Sequence, residues 1–172
     1  MLGLDLSPHT ATRLTLADAP RLQRLCERCG DYYLMEEGAP AAPDAAEHLL
    51  TGLPPGKTHA DKHVIGIHAP DGELAGVLDL IHDFPGEGNW WLGFLLLDPG
   101  ARAAGLGSRV VDEVARAVAA AGGTIIQLGV LEHNVAAERF WRRHGFAELR
   151  RQPYTARSGH VSRVIVMSRP LA

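Results

Sequence analysis

Cysteine is scarce in this 172-residue chain, and the two present, Cys26 and Cys29, lie close together as C-x-x-C. So few cysteines exclude a disulfide-stapled scaffold, and the absence of a second C-x-x-C argues against a zinc site. A redox C-x-x-C needs its first thiol at a helix N-terminus, where the thiolate is stabilised. Here both cysteines fall late in a helical segment, and Leu22, Leu25, Cys26 and Cys29 share one apolar face, which predicts core packing. Long apolar runs are also missing: none approaches the roughly 20 residues of a membrane span. The opening MLGLDLSPHT has neither a basic nor a long apolar region. No signal peptide is therefore expected, and the expectation is a cytoplasmic protein without a membrane partner. Aromatic residues make up only 6%. No basic segment interleaves with them as in nucleic-acid binding. Two phosphate-binding signatures, G-x-G-x-x-G and G-x-x-x-x-G-K-[ST], are absent as well.

What is present is enough chain for a sizeable core, 46% hydrophobic, expected as one domain over residues 1–172. The net charge of -3 says little about partners, but its distribution is uneven. Residues 139–172 hold eight arginines and one acid, Glu148, whereas residues 1–138 hold nine basic and nineteen acidic residues. Such asymmetry suits an acidic acceptor, nucleic acid or the phosphates of a cofactor, or simply solvated faces.

The stretch Leu92–Val111 organises the chain. An apolar run from Leu92 to Leu97, interrupted by Gly93, ends at Asp98-Pro99-Gly100. The segment Arg102-Ala103-Ala104-Gly105-Leu106-Gly107-Ser108 follows, and an amphipathic pattern begins at once with Val110, Val111, Val114 and Val118. This reads as buried strand, glycine-rich loop and helix. A helix entrance has unpaired N–H donors and a partial positive charge, which together suit a phosphate or pyrophosphate. A second stretch, Asn134 to Phe146, follows the apolar segment Ile125–Leu131.

Together these segments resemble the GNAT superfamily of acyl-CoA-dependent N-acyltransferases. Its strand, R-x-x-G-x-G/A loop and N-x-x-A-x-x-x-(Y/W)-x-x-x-G-F helix occur here in the same order and spacing. The resemblance implies an α+β fold. Its mixed, mostly antiparallel sheet would splay between the fourth and fifth strands, Asn89–Leu97 and Thr124–Leu131, with helices on both faces. The pantetheine arm of acetyl-CoA or another acyl-CoA would enter at the splay.

The flanking elements fit that order. Thr10 to Leu14 reads as a first strand, and Asp18 with Pro20 as the start of a helix running to Cys29, where Gly30 stops it. Asp31 to Lys62 is irregular and rich in Pro and Gly, apart from a short helix at Ala45–Leu50. A segment of this kind suits a binding loop. His63–His68 and Leu74–Ile81 form a hairpin turning at Asp71-Gly72. Leu106–Ala121 is the long helix and Val135–His144 the motif helix. Ala147–Arg151 and His160–Ser168 pair, with Gln152 to Gly159 as their loop.

By the same resemblance, backbone groups of Leu95 and Leu97 pair with pantetheine, and residues 102–108 cradle the pyrophosphate. Asn134 faces the cofactor, Phe140 and Trp141 flank the thiol end, and the Leu95 N–H stabilises the oxyanion. Asn134 suits a plain helix cap equally, and Phe140 and Trp141 suit core packing. The sequence departs from the family at two catalytic places. The glutamate that many members carry in the central strand as base is Gly93, and the tyrosine that many carry in the motif helix as acid is Trp141. An indole N–H is no acid near neutral pH. Gly93 also suits a bulge.

Replacement groups are sought on neighbouring segments: Asp79, His82 and Asp83 at the end of the third strand, and Tyr154 as acid from the terminal loop. Tyr32, Tyr33, Glu36, Glu37, Trp90 and Trp91 are acceptor candidates, because aromatics beside carboxylates suit a cationic amine. Trp90 and Trp91 point to opposite sheet faces, so at least one belongs to the core. The expected activity is acetyl transfer from acetyl-CoA to a primary amine of a small molecule or peptide. The alternative is an acyl-CoA-binding sensor or regulatory module without turnover. No metal is expected, and a homodimer is left open.

Overall fold

The computed structural model describes residues 2–171. The elements run β1 (Thr10–Arg13), α1 (Ala19–Arg28), α2 (Gly30–Glu37), α3 (Ala45–Thr51), β2 (Lys62–His68), β3 (Leu74–His82), β4 (Asn89–Leu97), α4 (Leu106–Ala120), β5 (Ile125–Leu131), α5 (Val135–Arg143), β6 (Ala147–Thr155) and β7 (Val161–Pro170). The strands form one seven-stranded sheet in the order β1-β2-β3-β4-β5-β7-β6. Every pairing is antiparallel except β4 with β5. The crossover through α4 supplies the parallel pair, as a parallel connection requires.

Each face of the sheet carries a core. Val110, Val114 and Val118 of α4, with Trp141 of α5 and Phe146 just beyond it, pack against Leu78, Leu80, Ile126 and Leu128. On the other face Leu22, Leu25, Cys26 and Cys29 pack against Val64, Val77 and Leu96. Both cysteines are free and buried, because their helical spacing puts them on the apolar stripe of α1.

Three expectations need correction. Gly30 does not open an irregular segment: it begins α2, which continues to Glu37 and ends at Gly38 in the left-handed region (φ 66°). Asp18 is the residue before α1, but its carboxylate turns back to accept the Thr15 N–H at 2.8 Å. The terminal hairpin is longer than its apolar pattern: β6 reaches Thr155 and β7 extends to Pro170. The outer strand β6 is exposed along nearly all its length, so no alternation of apolar residues marks its end.

His63 of β2 stacks on Trp90 with ring centroids 5.4 Å apart, and its Nε2 is buried without a partner. Burial, then the nearby Arg13 guanidinium, push its pKa down to about 4. Folded His63 stays neutral while the unfolded chain protonates near pH 6.5. The stability this group contributes is whole above that pH and is lost as pH falls toward 4. After solvent screening it amounts to roughly 1–2 kcal/mol. Urea midpoints of the wild type and His63→Phe at pH 7.5 and pH 5 should diverge in slope, the wild type losing more. Parallel losses would contradict this.

Candidate active site

The site begins with one unpaired residue. β4 and β5 pair only from Asn89 to Leu92, after which the strands part and β5 continues against β7 alone. Across β3, Asp79 faces Phe94 and Leu80 faces Leu92, so Gly93 has no partner and forms a bulge. The bulge reverses the facing of side chains: Trp90 and Leu92 pack on the α4 side, whereas Phe94 and Leu96 pack on the α1 side. β4 therefore turns away from β5 at Gly93 and leaves a free edge from there to Leu97.

At this point lies a buried ion pair. Asp79 is 7% exposed and Lys62 5% exposed. Lys62 Nζ donates to Asp79 Oδ2 at 2.8 Å, while Asp79 Oδ1 is buried without a hydrogen-bond partner. Val64 is the residue opposite Asp79, so Lys62 reaches it diagonally across the β2–β3 pair. A Cβ on Gly93 would stand 3.0 Å from Asp79 Oδ2. The missing side chain of Gly93 is thus the room into which the Asp79 carboxylate fits. Burial raises the pKa of Asp79, and the Lys62 ammonium opposes that rise.

Asp79, Lys62 and Gly93 line a cavity of about 530 Å³, together with Phe94, Tyr33, Glu36, Glu37, His48 and Tyr154. The β6–β7 turn roofs it. Tyr154 donates its hydroxyl to Glu36 Oε1 at 2.8 Å, Ser158 N–H donates to Glu37 at 2.8 Å, and Arg157 bonds Asp44 at 2.7 Å. Burial raises the pKa of Glu36, partly offset by the Tyr154 hydroxyl. Burial and the Glu36 charge hold Tyr154 well above the ordinary phenol range.

The glycine-rich loop leads from the free edge of β4 into α4. Ala103 and Gly105 take positive φ, 63° and 77°. Nothing lies within 4 Å of a Cβ built on Gly105. Leu106, 1% exposed, anchors the first turn of α4 in the core. The first-turn N–H groups of Leu106, Gly107 and Ser108 have no carbonyl one turn back within the helix. A Cβ on Gly107 would touch Leu97 and Phe140 at 3.4 Å, so glycine lets α4 lie close to β4 and α5. Ser108 Oγ is 3.0 Å from His144 Nε2. Arg102 pairs with Asp31 of α2, and its Nε donates to the Leu97 carbonyl at 3.0 Å, which the Cys29 thiol also contacts. Burial pushes that thiol up to about 11.

The chain and its fold have counterparts among known proteins. A model of the acetyltransferase (GNAT) family matches residues 22–146. The chain belongs to the GNAT family. Its fold is similar to that of an acetyltransferase from Thermus thermophilus, at 20% identity over 95% of this chain and 97% of that one, with a TM-score of 0.73. It is similar also to the ribosomal-protein-S18-alanine N-acetyltransferase of Escherichia coli (17% identity, 95% and 94% covered, TM-score 0.70). A GCN5-related N-acetyltransferase from Kribbella flavida has the same fold (20% identity, 96% and 100% covered, TM-score 0.67). At these identities the likeness shows the fold alone. No protein of curated function matches the chain in sequence.

For a GNAT protein, the loop fits an acyl-CoA. Gly105 leaves open space where a side chain would stand, the α4 entrance offers first-turn donors, and β4 has its free edge beside them. Two of the expected cofactor contacts also have a place in the fold. Trp141 is 8% exposed and packs edge-on to Phe146 in the core, so its ring supports α5. Asn134 caps α5, its side chain accepting the Ala137 N–H at 3.1 Å. Phe140 is half-buried, packed against Gly107 and, at 4.6 Å, the His144 ring.

Of the catalytic candidates, Asp79 and Tyr154 meet in the cavity, and His82 and Asp83 do not line it. His82 bonds Asp61 at 2.7 Å beside Trp90. Asp83 sits in the following turn at φ 51° and accepts the Gly88 N–H. Asp79 is not the solvated strand end its neighbours suggest, because Lys62 and the Gly93 bulge enclose it. Tyr154 lies in β6 and not in a loop, with its proton directed to Glu36. Among acceptor candidates Tyr33, Glu36 and Glu37 line the cavity. Tyr32 packs edge-on to Phe94 at 5.1 Å without lining it. Trp90 is buried under α4 and Trp91 packs on Phe84, both outside the cavity. Sequence reasoning missed Lys62, His48 and Arg157. For Lys62 the signal was available: the alternation of β2 extends back through it, on the face of Val64.

Proposed function

We propose that this protein is an acetyl-CoA-dependent N-acetyltransferase acting on a primary amine of a small molecule or peptide, by direct transfer. The observation that supports this most is the Asp79 carboxylate, seated where the side chain of Gly93 would otherwise project. Bound acetyl-CoA would supply the activated thioester. Residues 102–108, with the α4 entrance, would hold its phosphates, and the free edge of β4 at Leu95 and Leu97 would hold its arm. Arg102 would have to release the Leu97 carbonyl for that contact.

Within the cavity, Asp79 takes the proton from the acceptor ammonium, directly or through a water. A raised carboxylate pKa makes it a stronger base than a solvated one, and the Lys62 ammonium favours its ionised form. The Leu95 N–H stabilises the developing oxyanion. Tyr154 and Glu36 close the roof and exclude water. With its proton held by Glu36 and its acidity reduced, Tyr154 positions the acceptor better than it protonates a thiolate. The amine would attack the thioester carbonyl, the C–S bond would break, and the nitrogen's extra proton would leave with the CoA thiolate, with positioning supplying much of the rate.

The burial of Trp141 in place of a family acid favours one second reading, a sensor that binds acyl-CoA without turnover. A thiol-release assay across a broad amine panel separates the two. Release of CoA that depends on the amine is expected. Tight acetyl-CoA binding with no release for any amine would leave the sensor.

A further inference from the structure

Charge in the cavity is unbalanced. Glu36 and Glu37 stand together on its wall at the end of α2, and among the described residues no cation pairs with either. Of the basic side chains of the lining, Lys62 and Arg157 are already paired, with Asp79 and Asp44, and His48 bonds neither glutamate. Glu36 and Glu37 instead face neutral donors, the Tyr154 and Tyr32 hydroxyls at Glu36 and the Ser158 N–H at Glu37. A second, separate feature also calls for a donor: Asp79 Oδ1 is buried with no hydrogen-bond partner, in a residue 7% exposed. Partly buried carboxylates without a cation are costly, and a bound cation removes that cost.

We infer that the acceptor is a small aliphatic diamine or polyamine: its reactive amine is held at Asp79, and its second ammonium is held by Glu36 and Glu37. This rests on the acetyl-transfer reading above for the fate of the reactive amine. A monoamine would leave the Glu36–Glu37 charge uncompensated once its own proton had gone. An amino acid would bring a carboxylate against two others. The three hydrogen-bonded ties of the roof set the β6–β7 turn down on α2 and the segment leading into α3, over a volume suited to a small ligand. Ala39, Pro40, Ala42, Leu49 and Phe94 give the wall an apolar part that suits the methylene chain between the two amines.

The test uses 1,4-diaminobutane and 1,5-diaminopentane against n-butylamine, free lysine and a short lysine-containing peptide. In the wild type kcat/KM for a diamine should exceed that for butylamine by about 10- to 100-fold, the usual range for a charge-assisted contact. The Glu36→Gln/Glu37→Gln variant keeps the acceptors for Tyr154 and Ser158 and should lose that preference. Calorimetric titration with the diamine alone gives a second readout. Saturable heat in the wild type, lost in E36Q/E37Q, is expected. Equal use of butylamine, preference for the peptide, or a preference surviving in E36Q/E37Q would overturn the inference. Diamine binding that E36Q/E37Q abolishes, without thiol release, would uphold the diamine site at Glu36 and Glu37 and remove the acetyl-transfer reading. Thiol release without any diamine preference would do the reverse.

Discussion

Asp79→Asn should lower kcat by about 100- to 10,000-fold, the range general-base catalysis contributes, while acetyl-CoA affinity stays within a few-fold. The amide preserves the shape beside Gly93 and still offers an oxygen to Lys62, so a folded variant is expected, which circular dichroism would verify. The pH profile gives an independent check. Burial raises the pKa of Asp79, so the acid limb of the wild-type rate should lie above the ordinary carboxylate range, with activity falling as pH drops through it. The Lys62 ammonium is the opposing influence, and Lys62→Met removes it. The limb should then move to higher pH. Breaking a buried pair also destabilises by about 3–5 kcal/mol, so the profile of Lys62→Met belongs at low temperature. Full kcat in folded Asp79→Asn would end the role of Asp79 as base. An acid limb that stays put in Lys62→Met would mean that another group titrates.

Gly105→Val should abolish acetyl-CoA binding, by 100-fold or more, in a protein that still folds. Gly105 sits at φ 77° just before α4. A β-branched residue there is strained by roughly 1–2 kcal/mol, and its side chain would project into the open space beside the α4 entrance. That space has no protein atom within 4 Å, so the substitution meets no neighbour in the fold itself. The expected loss comes from denying the phosphates their approach and from turning the loop out of its left-handed conformation. Calorimetry with acetyl-CoA and with its dephospho analogue would check it. Unchanged affinity would mean the phosphates bind elsewhere.

The two sites differ in how far sequence could reach them. The loop from Arg102 to Ser108 was legible because its logic is local. A strand terminator, glycines and a helix start lie within one short stretch, and their physics does not depend on distant residues. The same holds for α4, for β4 and for the cysteines on the stripe of α1. α2 was hidden because its sequence, Gly-Asp-Tyr-Tyr-Leu-Met-Glu-Glu, opens on a glycine that reads as a helix stop and has almost no apolar stripe. β6 was cut short because an exposed edge strand has no buried face to alternate. Trp90 and Trp91, side by side in sequence, looked like acceptor aromatics until packing placed one under α4 and the other on Phe84.

By itself the sequence showed the strands, every helix but α2, the glycine-rich entrance to α4 and the bulge-prone glycine of the central strand, and its two motifs resembled the family that the chain belongs to. The elements and turns follow from spacing, turn chemistry and periodicity within a dozen or so residues. Tertiary structure alone decided the chemistry of the cavity. Lys62 and Asp79 come from different strands, Glu36 from α2 and Tyr154 from the outer strand of the sheet, 118 positions apart along the chain. Their meeting depends on strand register, on one unpaired residue at Gly93 and on a turn folded back over α2. Burial then sets their charges, and burial belongs to the packed molecule, not to any segment of it.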